Sequence, residues 1–410
     1  MTVLRRIEPE KDKDAVLRIW KEIGWLDKGK EDIFDILLKA EGGNYVAELD
    51  GTPECNVTTI AGKMQYMEKE LPISVVGSVL TSTVARRQGL AAKLTAKAIM
   101  ESAVDGACLS GLGIFDQGFY NQLGYGTGSY ENWVFFDPAS LNVEKLVKTP
   151  KRITKEDWKE VHRSRLNRMK HHGMVDLSDE TDTRLEMNWP TNSFGLGYYD
   201  DNDELSHHIF FQADNLYDGK YSVQWMAYQN RQQFMELMSV LRSLSDQIQI
   251  IVMREPPGIQ LQDILNRPFR HRRITRESKY ENKMVSSAYW QMRILDLESC
   301  IRAFSHEGHT LRFNLTLKDP VENLLEKNTP WKGLSGNYTV TLDRDSRIDD
   351  VRKRGLPELK TTVNAFTRLW SGVLPASSLA MTDDFCADPK LIKELDTVMR
   401  LPRPHPDWDF

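Results

Sequence analysis

The run Arg86-Arg87-Gln88-Gly89-Leu90-Ala91-Ala92 has the residue types and order for binding an anion. Two guanidinium groups precede a glycine and two alanines follow it, between an apolar extended segment and an amphipathic helix. Upstream, Ile73-Ser74-Val75-Val76-Gly77-Ser78-Val79-Leu80-Thr81 is rich in β-branched residues and predicts a strand. Downstream, Leu90, Leu94, Ala98 and Ile99 recur near helical spacing, with Lys93 and Lys97 left for solvent. A strand, a tight turn and a helix start aim unpaired N–H groups and the positive end of the helix dipole at one point. Gly89, Ala91 and Ala92 let a phosphate approach the main chain, and Arg86 and Arg87 add charge, so a pyrophosphate suits the turn.

A second constellation follows, Asp116-Gln117-Gly118-Phe119-Tyr120-Asn121-Gln122-Leu123-Gly124-Tyr125-Gly126. By residue type alone its aromatics suit core packing as well as chemistry. The order Arg-x-x-Gly-x-Ala resembles the acetyl-coenzyme A signature of the GNAT acetyltransferases, and the aromatic segment resembles that of the enhanced intracellular survival (Eis) acetyltransferases. Tyr289-Trp290-Gln291-Met292-Arg293-Ile294-Leu295-Asp296 is similar to the start of that family's carboxy-terminal, sterol-carrier-like domain, and Phe410 stands as its terminal aromatic residue.

The resemblance implies an acetyl-CoA-dependent N-acetyltransferase acting on a primary amine, aminoglycoside-like, a polyamine or a lysine, by direct transfer in a ternary complex. It assigns Val79, Leu80, Thr81, Arg86, Arg87, Gly89, Leu90, Ala91 and Ala92 to acetyl-CoA, the one cosubstrate, with no metal. It makes Tyr120 the general acid, since a phenol stays protonated at neutral pH. It makes the α-carboxylate of Phe410 the general base, or a relay to it through water, carried on the proline-stiffened arm Arg403-Pro404-His405-Pro406-Asp407-Trp408-Asp409-Phe410. Trp25, Asp27, Phe34 and Asp409 would contact the substrate, and the protein would be a homo-oligomer, a hexamer in the family. The alternative is a sensor that binds CoA or a lipid without catalysis.

Composition narrows the remaining classes. With 54 basic and 59 acidic residues the net charge is −5, and no basic face for nucleic acid is expected. Cys55, Cys108, Cys300 and Cys386 are too dispersed for a zinc site or a disulfide framework. The amino terminus has no apolar leader pattern and no run is long enough for a membrane span, which predicts a cytoplasmic protein without membrane contact. The His171-His172 and His207-His208 pairs point apart on any regular element, and Asp343, Asp345, Asp349 and Asp350 suit a solvated turn better than a calcium loop.

These residues need a framework, and 410 residues are too many for one ordinary core. Alternating elements over 1–145 predict a catalytic α/β domain whose mixed, twisted sheet is covered by helices and closed by a strand at Tyr130–Phe136. Residues 146–283 repeat that grammar, but the matching strand-to-helix junction reads Gln229-Asn230-Arg231-Gln232 without glycine, as in a degenerate acetyltransferase-like domain. Residues 284–410 predict an α+β domain with strands at Thr310–Leu317 and Gly336–Leu342, sterol-carrier-like by resemblance and mainly architectural. The pattern predicts an α/β (α+β) fold class, and the resemblance implies tandem GNAT-like units and a third domain that brings the carboxy-terminal tail to the active site.

Overall fold

The computed structural model describes residues 2–26, 29–38, 42–217 and 219–409. Two compact units emerge, one of Met1–Ser129, His172–Asp179 and Ala288–Phe410, the other of Tyr130–His171 and Glu180–Ser287. The first begins with β1 (Thr2–Arg6), α1 (Pro9–Ile23), α2 (Glu31–Leu37), β2 (Gly42–Leu49), β3 (Thr52–Tyr66), β4 (Lys69–Thr81), α3 (Leu90–Val104), β5 (Leu109–Gly113), α4 (Gln117–Asn121) and β6 (Gly126–Thr127). The second unit holds β7 (Glu131–Phe136), β8 (Lys151–Ile153) and α5 (Trp158–Leu166). After β9 (Val175–Leu177), which belongs to the first unit, it continues with α6 (Glu180–Asn188), β10 (Ser193–Tyr199), β11 (Leu205–Ala213), β12 (Tyr221–Ala227), α7 (Arg231–Ser243), β13 (Ile251–Arg254), α8 (Pro268–Thr275) and β14 (Lys283–Ser287). The first unit resumes with β15 (Trp290–Ile294), α9 (Leu297–Ala303), β16 (Leu311–Lys318), β17 (Gly336–Leu342), β18 (Arg347–Asp349), β19 (Glu358–Thr362), α10 (Val363–Trp370), α11 (Ala376–Thr382), β20 (Phe385–Ala387) and α12 (Pro389–Val398).

The first unit contains an eight-stranded sheet in the order β1-β2-β3-β4-β5-β15-β6, with β9 also on β3. Its first hairpin turns through Asp50 and Gly51, both at positive φ (51° and 84°), as a two-residue connection between right-twisted strands requires. α1 buries Val16, Ile19 and Trp20 along one stripe and stops at Gly24, whose φ of 79° is the left-handed conformation that ends helices. β4 and β5 run parallel and are joined by α3, whose Leu94, Ala98 and Ile99 are buried over the sheet. The last segment adds a five-stranded sheet, β18-β17-β16-β19-β20.

The second unit has a seven-stranded sheet, β14-β7-β13-β12-β11-β10-β8, with Phe136, Ile209, Phe211, Leu237, Leu241 and Ile251 in its core. Here α7 joins the parallel strands β12 and β13, which repeats the β4-α3-β5 crossover. No helix among the described residues is long and apolar enough to cross a membrane.

Two strands sit elsewhere than their neighbours in sequence suggest. The segment read as the closing strand of the first sheet is β7, and it pairs with β13 and β14 in the second. β15, from the segment read as opening the last domain, lies between β5 and β6 in the first sheet with all five residues buried. Local alternation identifies a strand, but its partner follows from register and from which edge is open.

Candidate active site

A widened strand gap builds the site. β3 and β4 pair from Tyr66 with Lys69 up to Cys55 with Thr81, but Thr58 faces Ser78 while Thr59 faces Val76, so Gly77 is an extra residue. β5 accompanies β4 only from Ile73 to Val76. From Gly77 to Thr81 β4 therefore has a partner strand on its β3 side alone, and Val79–Thr81 leave main-chain groups on the other edge for a ligand to use. Leu80 is buried, while Val79 and Thr81 are half-buried beside that edge.

Beyond Thr81 the chain makes a 3₁₀ turn over Thr83–Ala85 and two left-handed steps, at Arg87 (φ 61°) and Gly89 (φ 75°), before α3 starts. No side chain caps α3, so its first N–H groups stay available. A Cβ on Gly89 would meet nothing within 4 Å, which makes the approach open. Arg86 and Arg87 are exposed and form no ion pair among the described residues. The turn is braced from α1, where Glu22 accepts from the Thr83 N–H at 2.6 Å and from its hydroxyl. These hydrogen bonds hold the Glu22 carboxyl below its usual range. Leu90 and Ala92 have buried side chains, and Ala91 is half-buried, so these residues can serve an anion only through their backbone.

The corresponding junction in the second unit is closed. Asn230 caps α7 by accepting from the Gln233 N–H at 3.1 Å, and the Gln233 side chain accepts from the Gln229 N–H at 2.7 Å. Its own side chains thus occupy donors that remain open at α3.

Tyr120 lies on α4, whose amino end is capped by Asp116 accepting from the Phe119 N–H at 3.2 Å. Its ring shares a core cluster with Ala85, Leu90, Leu94 and Leu112, which joins it to the first turn of α3. It meets Phe119 and Tyr125 edge-on, at 5.0 and 6.1 Å between centroids. The Tyr120 hydroxyl has no hydrogen-bond partner among the described residues. Burial, with a smaller effect of the Asp116 charge, pushes its pKa up to about 12, so it is a protonated donor across the physiological range. Tyr125 differs, because it is wholly buried and its hydroxyl shares a 2.7 Å hydrogen bond with Ser110, as a packing residue does.

Residues distant in sequence hold α4. Arg293 on β15 donates to the Leu123 carbonyl and, at 2.5 Å, to Asp319, with both charged side chains fully buried. Asn364 on α10 donates to the Asn121 and Tyr125 carbonyls, each at 2.9 Å. The motif's glycines answer to these groups, since a Cβ on Gly124 would come within 2.6 Å of the Arg293 guanidinium and one on Gly126 within 2.4 Å of the Asn364 carbonyl oxygen. Arg293, Asp319 and Asn364 had no recognisable role in the sequence because their signal is spatial.

Trp25 is half-buried and packs edge-on with Trp20, at 5.9 Å, and with Phe115, at 6.3 Å. Phe115, an aromatic the sequence reading passed over, follows the end of β5 and is 82% exposed. Phe34 is buried against Trp20, a core position rather than a surface one. Asp27 and Phe410 lie outside the described residues. The tail up to residue 409 is fastened: the Ser129 hydroxyl donates to the Pro404 carbonyl at 2.5 Å, the His405 N–H to His172 at 3.1 Å, and the Val175 N–H to Pro406 at 2.8 Å. Trp408 is buried and Asp409 exposed. The tail runs in the same sense as β9, which leads from Met64 toward Gly62 on β3, in the direction of the Thr58–Thr59 bulge.

An uncapped helix start, a left-handed turn, free arginines and an open strand edge fit a pyrophosphate with an extended amide-bearing arm. Residues 4–128 match the model of the acetyltransferase (GNAT) domain. The chain therefore carries a GNAT acetyltransferase domain, the domain of an N-acetyltransferase. No curated protein matches the chain. Solved structures share the fold over its whole length. A probable N-acyltransferase of unknown function from Enterococcus faecalis is 17% identical, with a TM-score of 0.78 over 99% of this chain and 97% of its own. A GCN5-related N-acetyltransferase from Anabaena variabilis is 12% identical, with a TM-score of 0.79 over all of both chains. Eis1 from Mycobacterium abscessus is 13% identical, with a TM-score of 0.76 over all of both chains.

Proposed function

We propose that this protein transfers the acetyl group of acetyl-CoA to a primary amine by direct attack in a ternary complex. The observation that carries this reading is the open edge of β4 ending at an uncapped, arginine-bearing helix start, with a Tyr120 hydroxyl unpartnered among the described residues in the adjoining cluster. Arg86, Arg87 and the backbone of 89–92 bind the pyrophosphate, and Val79–Thr81 pair with the pantetheine arm and offer an N–H to the thioester oxygen. The amine nitrogen forms its bond to the acetyl carbon as the carbon–sulfur bond breaks. Tyr120 gives its proton to the departing sulfur, and the Phe410 carboxylate takes the proton of the amine, directly or through water.

Trp25 and Phe115 form an aromatic wall for the amine's carbon skeleton, with Asp27 and Asp409 as acidic partners for its charge. Residues 284–410 act as a sterol-carrier-like architectural unit, and the second GNAT-like unit binds no coenzyme because α7 caps itself. Turnover of acetyl-CoA against a panel of aminoglycosides, polyamines and lysine peptides tests the reading. Saturable release of free CoA with at least one amine is expected. Binding of acetyl-CoA with no turnover for any amine would favour a sensor.

A further inference from the structure

The second unit carries a surface that acetyl transfer does not use. Residues 267–283 contain seven arginines and lysines against two glutamates, in a chain whose net charge is −5. No residue of α8 is buried, and Arg270, Arg272 and Arg273 form no ion pair among the described residues. Beside α8 lies a cavity of about 90 Å³ lined by Phe135, Leu265, Phe269, Arg272, Asn282 and Met284 among others, large enough for one branched or aromatic side chain.

Two further observations say what would fill it. Asn282 is 6% exposed; its side-chain oxygen accepts from the Asp137 N–H at 3.3 Å, but its amide nitrogen has no acceptor among the described residues. A buried donor of this kind calls for a carbonyl or carboxylate oxygen. β14 is the edge strand of its sheet, bonded to β7 on one side, and all five of its residues are exposed. Its only charge, Lys283, is folded over the Phe135 ring at 4.8 Å, so Met284 and Val285 stand on an unguarded edge.

We propose that β14 and the adjoining cavity dock an extended acidic segment of a partner protein. The segment adds as a strand to β14, seats one apolar side chain in the cavity, brings an oxygen to the Asn282 amide and faces its carboxylates to the arginines of α8. An anionic bilayer would satisfy the arginines and Phe269 but leave the strand edge and the amide unpaired, so the peptide is the better fit.

Fluorescence polarisation tests this on the full chain, with a fluorescein-labelled peptide that alternates Val, Leu and Thr between terminal Glu-Asp pairs. Saturable binding is expected, weakened about tenfold or more by Arg272→Glu and by Met284→Asp, and weakened by added salt. Both positions are exposed, so melting temperature and acetyl transfer should not change. Absence of saturable binding, equal binding by the variants, or equal binding of a peptide with lysines in place of its acids would overturn the proposal. So would phosphatidylserine-vesicle binding lost in the same variants, or an oligomer that these substitutions dissociate.

Discussion

Within one motif, Tyr120 and Tyr125 have the same side chain and opposite fates. Tyr125 spends its hydroxyl on Ser110 inside the core, while the hydroxyl of Tyr120 has no partner among the described residues. Tyr120→Phe should leave acetyl-CoA affinity intact and slow transfer by about 10²–10⁴-fold. Because burial raises this phenol to about 12, the wild-type rate should show no loss from its ionisation up to pH 10. Steady-state rates across pH for both proteins check this, and wild-type turnover by the variant would return Tyr120 to packing. The turn before α3 was legible in adjacent residues, whereas Tyr120 stood out only through the family resemblance. The sequence was silent on Phe115 and Arg293, whose roles depend on neighbours far along the chain.

The same contrast holds for the elements. The strand ending at Thr81, α3, α7 and the crossover they repeat were legible because periodicity is local. α2 was missed, since seven residues rich in acids make a weak pattern. The exchange of β7 and β15 was missed because pairing is not local. β15 bears on the proposed general acid, as its Arg293 donates to the Leu123 carbonyl just after α4, the helix that carries Tyr120. Arg293→Met would leave the buried Asp319 carboxylate with no counter-charge, only the Val321 and Leu334 N–H groups, and should cost about 3–5 kcal/mol of stability in denaturant melts. A loss within 1 kcal/mol would mean that the buried pair adds little net stability. In the second unit, His208 on β11 accepts from the Trp225 indole N–H at 3.1 Å, which leaves the ring neutral. Burial lowers its pKa to about 3, so its contribution to stability is complete above the unfolded value of about 6.5 and declines as pH falls from there toward 3. The decline is about 1.4 kcal/mol per pH unit. His172 and His207 are shifted the same way, also chiefly by burial. Urea midpoints at pH 7.5, 6 and 5 should fall with acid, and His208→Gln should flatten that fall.

At the scale of the molecule, segments far apart in sequence meet within the first unit. The tail is fastened at Pro404, His405 and Pro406 and directed along β9, although its residues alone suggest an end that frays. A short tag after Phe410 should therefore cut transfer sharply while acetyl-CoA affinity and melting temperature stay the same; equal rates for tagged and untagged protein would exclude the terminal carboxylate as base. One coenzyme site per chain is expected, at the turn before α3 and not at its capped counterpart before α7. Calorimetric titration with acetyl-CoA, on the wild type and on Gly89→Val, tests it most directly. A branched side chain at the left-handed residue 89 is strained by about 1–2 kcal/mol, too little to unfold the unit, and stands in open space where it obstructs the phosphates. The expected result is one site per chain in the wild type and a large loss of affinity in the variant; two sites per chain, or unchanged affinity in Gly89→Val, would contradict the account.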